Sequence, residues 1–378
     1  MCGHRAPGLL GGPARPGINQ DQHGLRPKAR LGWTCLPVLM WGLIVLGLTA
    51  CDNSIDAFGP DRQTPVFWML LDASDTVHYA RLQRSFQSPG QDAFIAALDP
   101  ANLYYPAGTV QLRVEALGPD SSIQQRWFLE RVDGASAGFP KEPGVFADSA
   151  HVLYRFTAAL NPDLMYRVVL HTPAAEDTLR AIFPLVDSFR IFYPQSTTID
   201  IDYSDTGTFR FDWQSAPNGF LYEAYWEVQF EELVPGSSDW EAGSVRVPLF
   251  RNRVHLADQG LVLLQQNVFT TSFYTGLRGR LEPAEGGQRR LLQVDIICTA
   301  GGKELYLLYL NNLATLDLGE LFITGTYTNL PGAVGLASSR SSVRFASLSL
   351  TDATLDSLAC GRLTSLLGFQ RADGSPCP

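Results

Sequence analysis

Apolar and polar residues alternate with a period of two through much of this chain, and that pattern constrains its fold more than any other feature. Phe209, Phe211 and Trp213 alternate with Arg210, Asp212 and Gln214. Tyr222, Ala224, Trp226, Val228 and Phe230 alternate with Glu223, Tyr225, Glu227 and Gln229. Successive side chains of an extended strand point to opposite faces, so such a run buries one face and wets the other. Val110, Leu112, Val114 and Ala116 form another apolar face, with Gln111, Arg113 and Glu115 opposite. Residues 152–156, 166–171, 291–298 and 343–350 also read as strands. Turn clusters such as Gly118-Pro119-Asp120, Asn161-Pro162-Asp163, Ala216-Pro217-Asn218-Gly219 and Pro331-Gly332 separate these runs. Many short strands with frequent turns predict sandwiches or barrels.

Helical signal is sparse. Residues 92–99 offer one or two turns, and 304–318 carry an apolar stripe stopped by Gly319. Asp352 is positioned to cap a short helix that Gly361 ends. The pairs Gly286-Gly287 and Gly301-Gly302 read as hairpin turns. The fold class expected is mainly β: two β-sandwich-like, immunoglobulin-like domains with a few short helices. The expected units are 64–185, 186–350, and 351–378, a short helix with a disulfide loop.

Ahead of these units lies a second strong signal. An apolar run over 36–50 follows Arg26, Lys28 and Arg30 and ends in Leu48-Thr49-Ala50-Cys51. The run is shorter than the ~20 residues that span a bilayer and fits the apolar region of a signal peptide. The tetrapeptide reads as a bacterial lipobox, cut before Cys51 so that its thiol carries diacylglycerol. Residues 1–50 are thus expected to be a lipoprotein signal peptide and 51–63 an acidic tether. The expected location is the cell envelope, held to a membrane by N-terminal lipid. Asp52 beside the anchor marks inner-membrane retention in some bacteria, and acidic residues there mark surface export in others.

The chain holds 29 Lys and Arg against 38 Asp and Glu. The leader takes five of the bases and one of the acids, so the remainder is more acidic still. That balance excludes the basic footprint of a nucleic-acid binder. Beyond Cys51, the cysteines are Cys298, in an apolar run, and Cys360 and Cys377, which can pair in an oxidising compartment. Such a loop is worth about 3 kcal/mol. No pair has zinc-site spacing, and no cofactor motif is present.

Candidate chemistry is thin. Asp200, Asp202 and Asp205 offer hard oxygen ligands for a cation, yet lack an EF-hand pattern and read as a solvated strand face. Trp213, Tyr222, Tyr225 and Trp226 suggest an aromatic platform. Of these only Tyr225 lies on a polar face, which makes it the candidate ligand contact. Glu231, Glu232 and Glu241 are carboxylates of the kind glycoside hydrolysis uses, and read as surface charge. His78, His151, His171 and His255 sit in no nucleophile signature.

The stretch Val66-Phe67-Trp68-Met69-Leu70-Leu71-Asp72-Ala73-Ser74-Asp75-Thr76-Val77-His78-Tyr79-Ala80-Arg81-Leu82 pairs an apolar strand, a D-x-x-D-T turn and a second strand. Further on come Leu103-Tyr104-Tyr105-Pro106 and the block Tyr327-Thr328-Asn329-Leu330-Pro331-Gly332-Ala333-Val334-Gly335-Leu336-Ala337-Ser338-Ser339-Arg340. Leu355-Asp356-Ser357-Leu358, Thr364 and Phe369 close the pattern. Together these resemble uncharacterised envelope lipoproteins of Bacteroidota-type bacteria, a domain of unknown function often encoded near TonB-dependent receptors. Pro331-Gly332 stands where those proteins carry Asn-Gly, and Ala337 where they carry Phe. The resemblance implies an outer-membrane location and a receptor-accessory partner, and transfers no catalytic residue. The expected function is non-catalytic ligand or partner binding, with an envelope scaffold, then a glycan- or peptide-acting hydrolase, as alternatives.

Overall fold

The computed structural model describes residues 63–378, except 87–90, 148–150, 174–177, 234–235, 237, 257–259 and 318–326 and the side chains of 314–317. The expected signal peptide, the expected lipobox residues Leu48, Thr49, Ala50 and Cys51, and Gly319 lie outside the described residues. The first ten elements are β1 (Pro65–Asp72), β2 (Val77–Arg84), α1 (Ala93–Ala97), α2 (Pro100–Leu103), β3 (Gln111–Leu117), β4 (Ile123–Phe128), β5 (Glu130–Asp133), β6 (Val152–Thr157), β7 (Met165–His171) and β8 (Leu179–Pro184). There follow β9 (Ile191–Tyr193), β10 (Thr198–Ile199), β11 (Thr208–Gln214), β12 (Leu221–Leu233), β13 (Trp240–Val254), β14 (Leu263–Phe269) and α3 (Thr271–Arg278). The last are β15 (Gln288–Gly301), α4 (Lys303–Asp317), β16 (Val334–Leu350) and α5 (Asp352–Cys360). The protein is mainly β, with few and short helices. No helix among the described residues is long and apolar enough to cross a membrane.

The alternation does what the sequence predicts. Along β12 every second residue from Tyr222 to Phe230 is buried. On β11 Phe209, Phe211 and Trp213 face the core, but Asp212, expected on the wet face, is buried as well and accepts from Arg210 at 2.9 Å. The β1–β2 turn is fastened by Asp72, whose Oδ1 accepts from the Ser74 amide at 3.0 Å and the Ser74 hydroxyl at 2.7 Å.

Two sandwiches result. In the first, a sheet ordered β5-β6-β2-β1-β16 packs on a sheet ordered β4-β3-β7-β8. Phe67, Leu82, Val114, Val168 and Phe183 fill the space between them. In the order of each sheet, β1, β2, β6 and β5 occupy the A, B, E and D places of an immunoglobulin-like fold, and β4, β3, β7 and β8 the C′, C, F and G places. Tyr166, near the start of β7, makes the corner bond of such folds: its hydroxyl accepts from the Asn161 amide at 2.8 Å and donates to the Asn161 carbonyl at 3.2 Å. In the second sandwich, β16-β15-β12-β13 packs on β9-β11-β14, with α3 closing one side. Trp213, Tyr222, Trp226, Phe273 and Ile296 form its core.

The cores change over between Leu185 and Val186. Ser339 fastens that crossing: its hydroxyl donates to the Pro184 carbonyl at 2.8 Å and accepts from the Val186 amide at 2.9 Å. The sheet itself is continuous across both sandwiches because β16 serves both. Its first half runs parallel to β1, from Val66↔Val334 to Asp72↔Arg340. Its second half runs antiparallel to β15, from Gly301↔Arg340 to Val294↔Leu348. Gly335 sits at φ 111°, and a Cβ there would lie 2.0 Å from the Phe67 carbonyl oxygen, so only glycine permits this approach.

Three local expectations are corrected. Thr351, not Asp352, caps α5: its side chain accepts from the Thr354 amide, and Asp352 is the first helical residue. Neither glycine pair is a hairpin turn: Gly286-Gly287 lies between α3 and β15, and Gly301-Gly302 is a strand-to-helix joint between β15 and α4. Glu115 belongs to no solvated face. It is fully buried and receives the Nε–H groups of Arg113 and Arg126 at 2.9 Å and of Arg167 at 2.7 Å. Its neighbours on β4 and β7 supply two of these cations, which a single strand's pattern does not reveal.

Candidate functional site

Because Tyr222, Ala224 and Trp226 turn inward, Glu223, Tyr225 and Glu227 stand on the outer face of the second sandwich. β15 lies beside them in register, with Tyr225↔Ile297 and Glu223↔Thr299 paired. β16 continues the same face with Arg340, Ser342 and Arg344, and β13 flanks it with Arg246. Together these strands form an open depression of about 390 Å³ around Tyr225.

A bulge lies next to it on two of these strands, β15 and β16. Between Val294↔Leu348 and Ile296↔Phe345 the β15–β16 register slips, and Ser347 adopts φ 61°. Bulges re-aim side chains next to such sites. Here Asp295 is left buried, its Oδ1 accepting from the Ser347 amide at 2.7 Å and its Oδ2 from Gln229 at 3.2 Å and from Arg344. Arg344 also reaches Glu227 at 2.7 Å, and Arg246 reaches the other oxygen of Glu227 at 2.8 Å. Burial by itself pushes the Glu227 carboxyl up, but the Arg246 and Arg344 guanidiniums outweigh it and hold it below the usual carboxylate range. Tyr225 donates to Glu223 at 2.8 Å, and the Arg251 guanidinium lies 5.6 Å from its ring centre. Burial and the Glu223 carboxylate push the Tyr225 hydroxyl up, so it stays protonated and able to donate at neutral pH.

The arrangement offers an aromatic face, guanidinium donors and the hydroxyls of Thr299 and Ser342, which bond to each other at 2.9 Å. It suits binding of a polar ligand by stacking and hydrogen bonds. Glu227, ionised between two arginines, is not placed to donate a proton. Sequence reasoning selected Tyr225 but missed Glu227, Asp295 and the arginines. The signal lay in the period-two spacing of Arg340, Ser342 and Arg344, which marks one face of a strand.

The other sequence candidates lie apart. Trp213, Tyr222 and Trp226 are core residues, with Trp213 stacked on Phe250 at 4.9 Å. Asp200 accepts from Thr351 and Thr354, each at 2.9 Å, Asp202 from Ser204, and Asp205 pairs with Arg362 at 3.2 Å. No group of three or more metal-ligating side chains comes together among the described residues. Glu231 pairs with Arg290, and Glu232 with Arg289 at 2.9 Å while facing Glu241 across the strand pair. Cys360 and Cys377 form a disulfide with their Cα atoms 5.6 Å apart, and Cys298 is a buried free thiol. His78 is buried, and its Nε2 lies 3.0 Å from the Ala158 carbonyl oxygen.

No protein-family model matches the chain, and no curated protein matches it. Several solved structures align with it. Two of them are CBD12 from CALX1.2, at 10% identity, and the calcium binding domain CBD12 of CALX1.1, at 8%. Each alignment covers 73% of this chain and 98% of the other, with a TM-score of 0.15. Likeness at that level carries no argument.

Proposed function

We propose that this chain is a lipid-anchored protein of the bacterial envelope that binds a ligand or partner without turning it over, in company with an outer-membrane TonB-dependent receptor. The observation that carries this is Leu48-Thr49-Ala50-Cys51 at the end of a basic-then-apolar leader. The depression around Tyr225 supports the binding role, since Glu227 holds Arg246 and Arg344 in place beside an aromatic ring and hydroxyls on an open face. The test is metabolic labelling of the full chain with a lipid precursor in a bacterial host, followed by protease shaving of intact cells. Label on the wild type that is lost in Cys51→Ser supports the anchor. Label that persists in Cys51→Ser, or never appears, removes it. Crosslinking in membranes that enriches no receptor removes the accessory role.

A scaffold role is the second reading. It is favoured by one strand serving both sandwiches and by the disulfide that closes the C-terminal segment. A deletion strain with unchanged resistance to detergents and large antibiotics speaks against it.

A further inference from the structure

α1 is built inside out. Its small residues Ala96 and Ala97 are buried, while Phe94, Ile95 and Leu98 are 67%, 59% and 56% exposed. Burying alanine and wetting three large apolar side chains leaves most of the available hydrophobic gain unrealised, so the outward face calls for a second apolar medium. The Ala147 amide donates to the Ala97 carbonyl at 2.8 Å and brings up a segment whose Val145 and Phe146 are also exposed. That bond sets Val145 and Phe146 close to α1 in the chain's path, with the Lys141 ammonium 5.9 Å from the Phe146 ring centre.

The chain enters the fold at β1. Pro65, the first residue of β1, pairs with Arg84, the last of β2. Arg84 donates to the Gln63 side chain at 2.7 Å and to the Ala101 carbonyl in α2. The Thr64 amide donates to the Ser85 hydroxyl at 2.8 Å. α2 therefore lies by the strand end that Gln63 and Thr64 lead into, and α1 is held to α2 by the Asn102 side chain, which donates to the Ala96 carbonyl at 2.9 Å. Only twelve residues separate Thr64 from Cys51. At ~3.3–3.6 Å per residue, even a fully extended tether holds Thr64 within about 45 Å of the lipid-bearing sulfur.

We infer that Phe94, Ile95, Leu98, Val145 and Phe146 form an apolar foot that rests in the bilayer holding the chain's own anchor. This rests on the lipid-anchor reading. A shallow apolar face adds binding area to acyl chains already inserted, and two such signals hold a protein where one is reversible. The foot also sets orientation. It turns the β1-entry end of the first sandwich toward the membrane, so the body stands on it instead of swinging on the tether.

The test uses the processed, lipid-bearing chain with Ile95→Cys and an environment-sensitive dye on the new thiol. Cys298 is buried, Cys360 and Cys377 are paired, and Cys51 carries the lipid, so the label is selective. The protein is reconstituted into vesicles of phosphatidylethanolamine and phosphatidylglycerol with brominated acyl chains. Leu261→Cys, on an exposed apolar residue of the second sandwich, is the control. The expected result is loss of about half or more of the emission at position 95, with the control unquenched. A dye at 95 that stays water-exposed on a lipidated chain overturns the foot and leaves the anchor standing. A blue shift without bromine quenching means a protein covers the face, which also overturns it. A chain that carries no lipid and does not partition overturns the anchor reading and the foot together.

Discussion

Replacing Glu115 with glutamine removes the one anion beneath Arg113, Arg126 and Arg167 while preserving shape. The carboxyl is fully buried. Burial favours its neutral form, yet the three guanidiniums outweigh burial and bring it from 4.5 down to about 2. A shift of that size at 1.36 kcal/mol per unit corresponds to about 3 kcal/mol of stability at neutral pH. Breaking one side of a buried ion cluster costs a similar amount, because the remaining charges lose their partner. The folded-state value lies below the unfolded one. The stabilisation is therefore complete above 4.5 and disappears as pH falls toward about 2. Urea unfolding of wild type and Glu115→Gln, followed by tryptophan fluorescence through a descending pH series, measures the gap. The expected gap is about 3 kcal/mol near neutrality and narrows in acid as wild-type Glu115 takes up its proton. A gap below about 1 kcal/mol at neutrality, or one that stays constant into acid, refutes the reasoning.

Gly335→Ala forces a Cβ onto the Phe67 carbonyl at a positive φ, and is expected to cost more than about 2 kcal/mol, read as a lower unfolding midpoint. The Cys298 thiol, pushed well above its ordinary value by complete burial, is expected to resist thiol reagents in the native protein and to react fully in denaturant. The double variant Cys360→Ala, Cys377→Ala is expected to lose about 3 kcal/mol, measured against wild type with and without reductant. Tyr225→Ala is expected to leave the melting temperature nearly unchanged while abolishing any ligand-induced shift, and an unaltered shift removes the depression as the binding site.

Strands were legible in the sequence because a sheet with one wet face imposes a two-residue rhythm on each strand separately. Trp213 and Trp226 declare themselves core residues through neighbours one and two positions away. Pairing between strands carries no such local mark. Nothing near Val66 announces that its partner is Val334, and Gly335 shows its purpose only once Phe67 lies against it. Glu115 was misread for the same reason. Its own strand presents it as polar and outward, whereas two of its three arginines come from neighbouring strands. The Tyr225 depression was half legible: the aromatic on the polar face was visible, but the bulge that buries Asp295 depends on a register slip between β15 and β16.

The double duty of β16 has a temporal consequence. During synthesis the residues of β1 to β8 emerge first, but the strand that covers the open flank of β1 begins only at Val334. Until then Trp68 and Leu70 belong to an unpaired edge, the kind that recruits other strands. The first sandwich is thus born unfinished and completes itself only when β16 arrives. Truncation before β16 would remove a border from both halves at once. The order keeps both sandwiches open until β16 has been made, and one strand then closes them together.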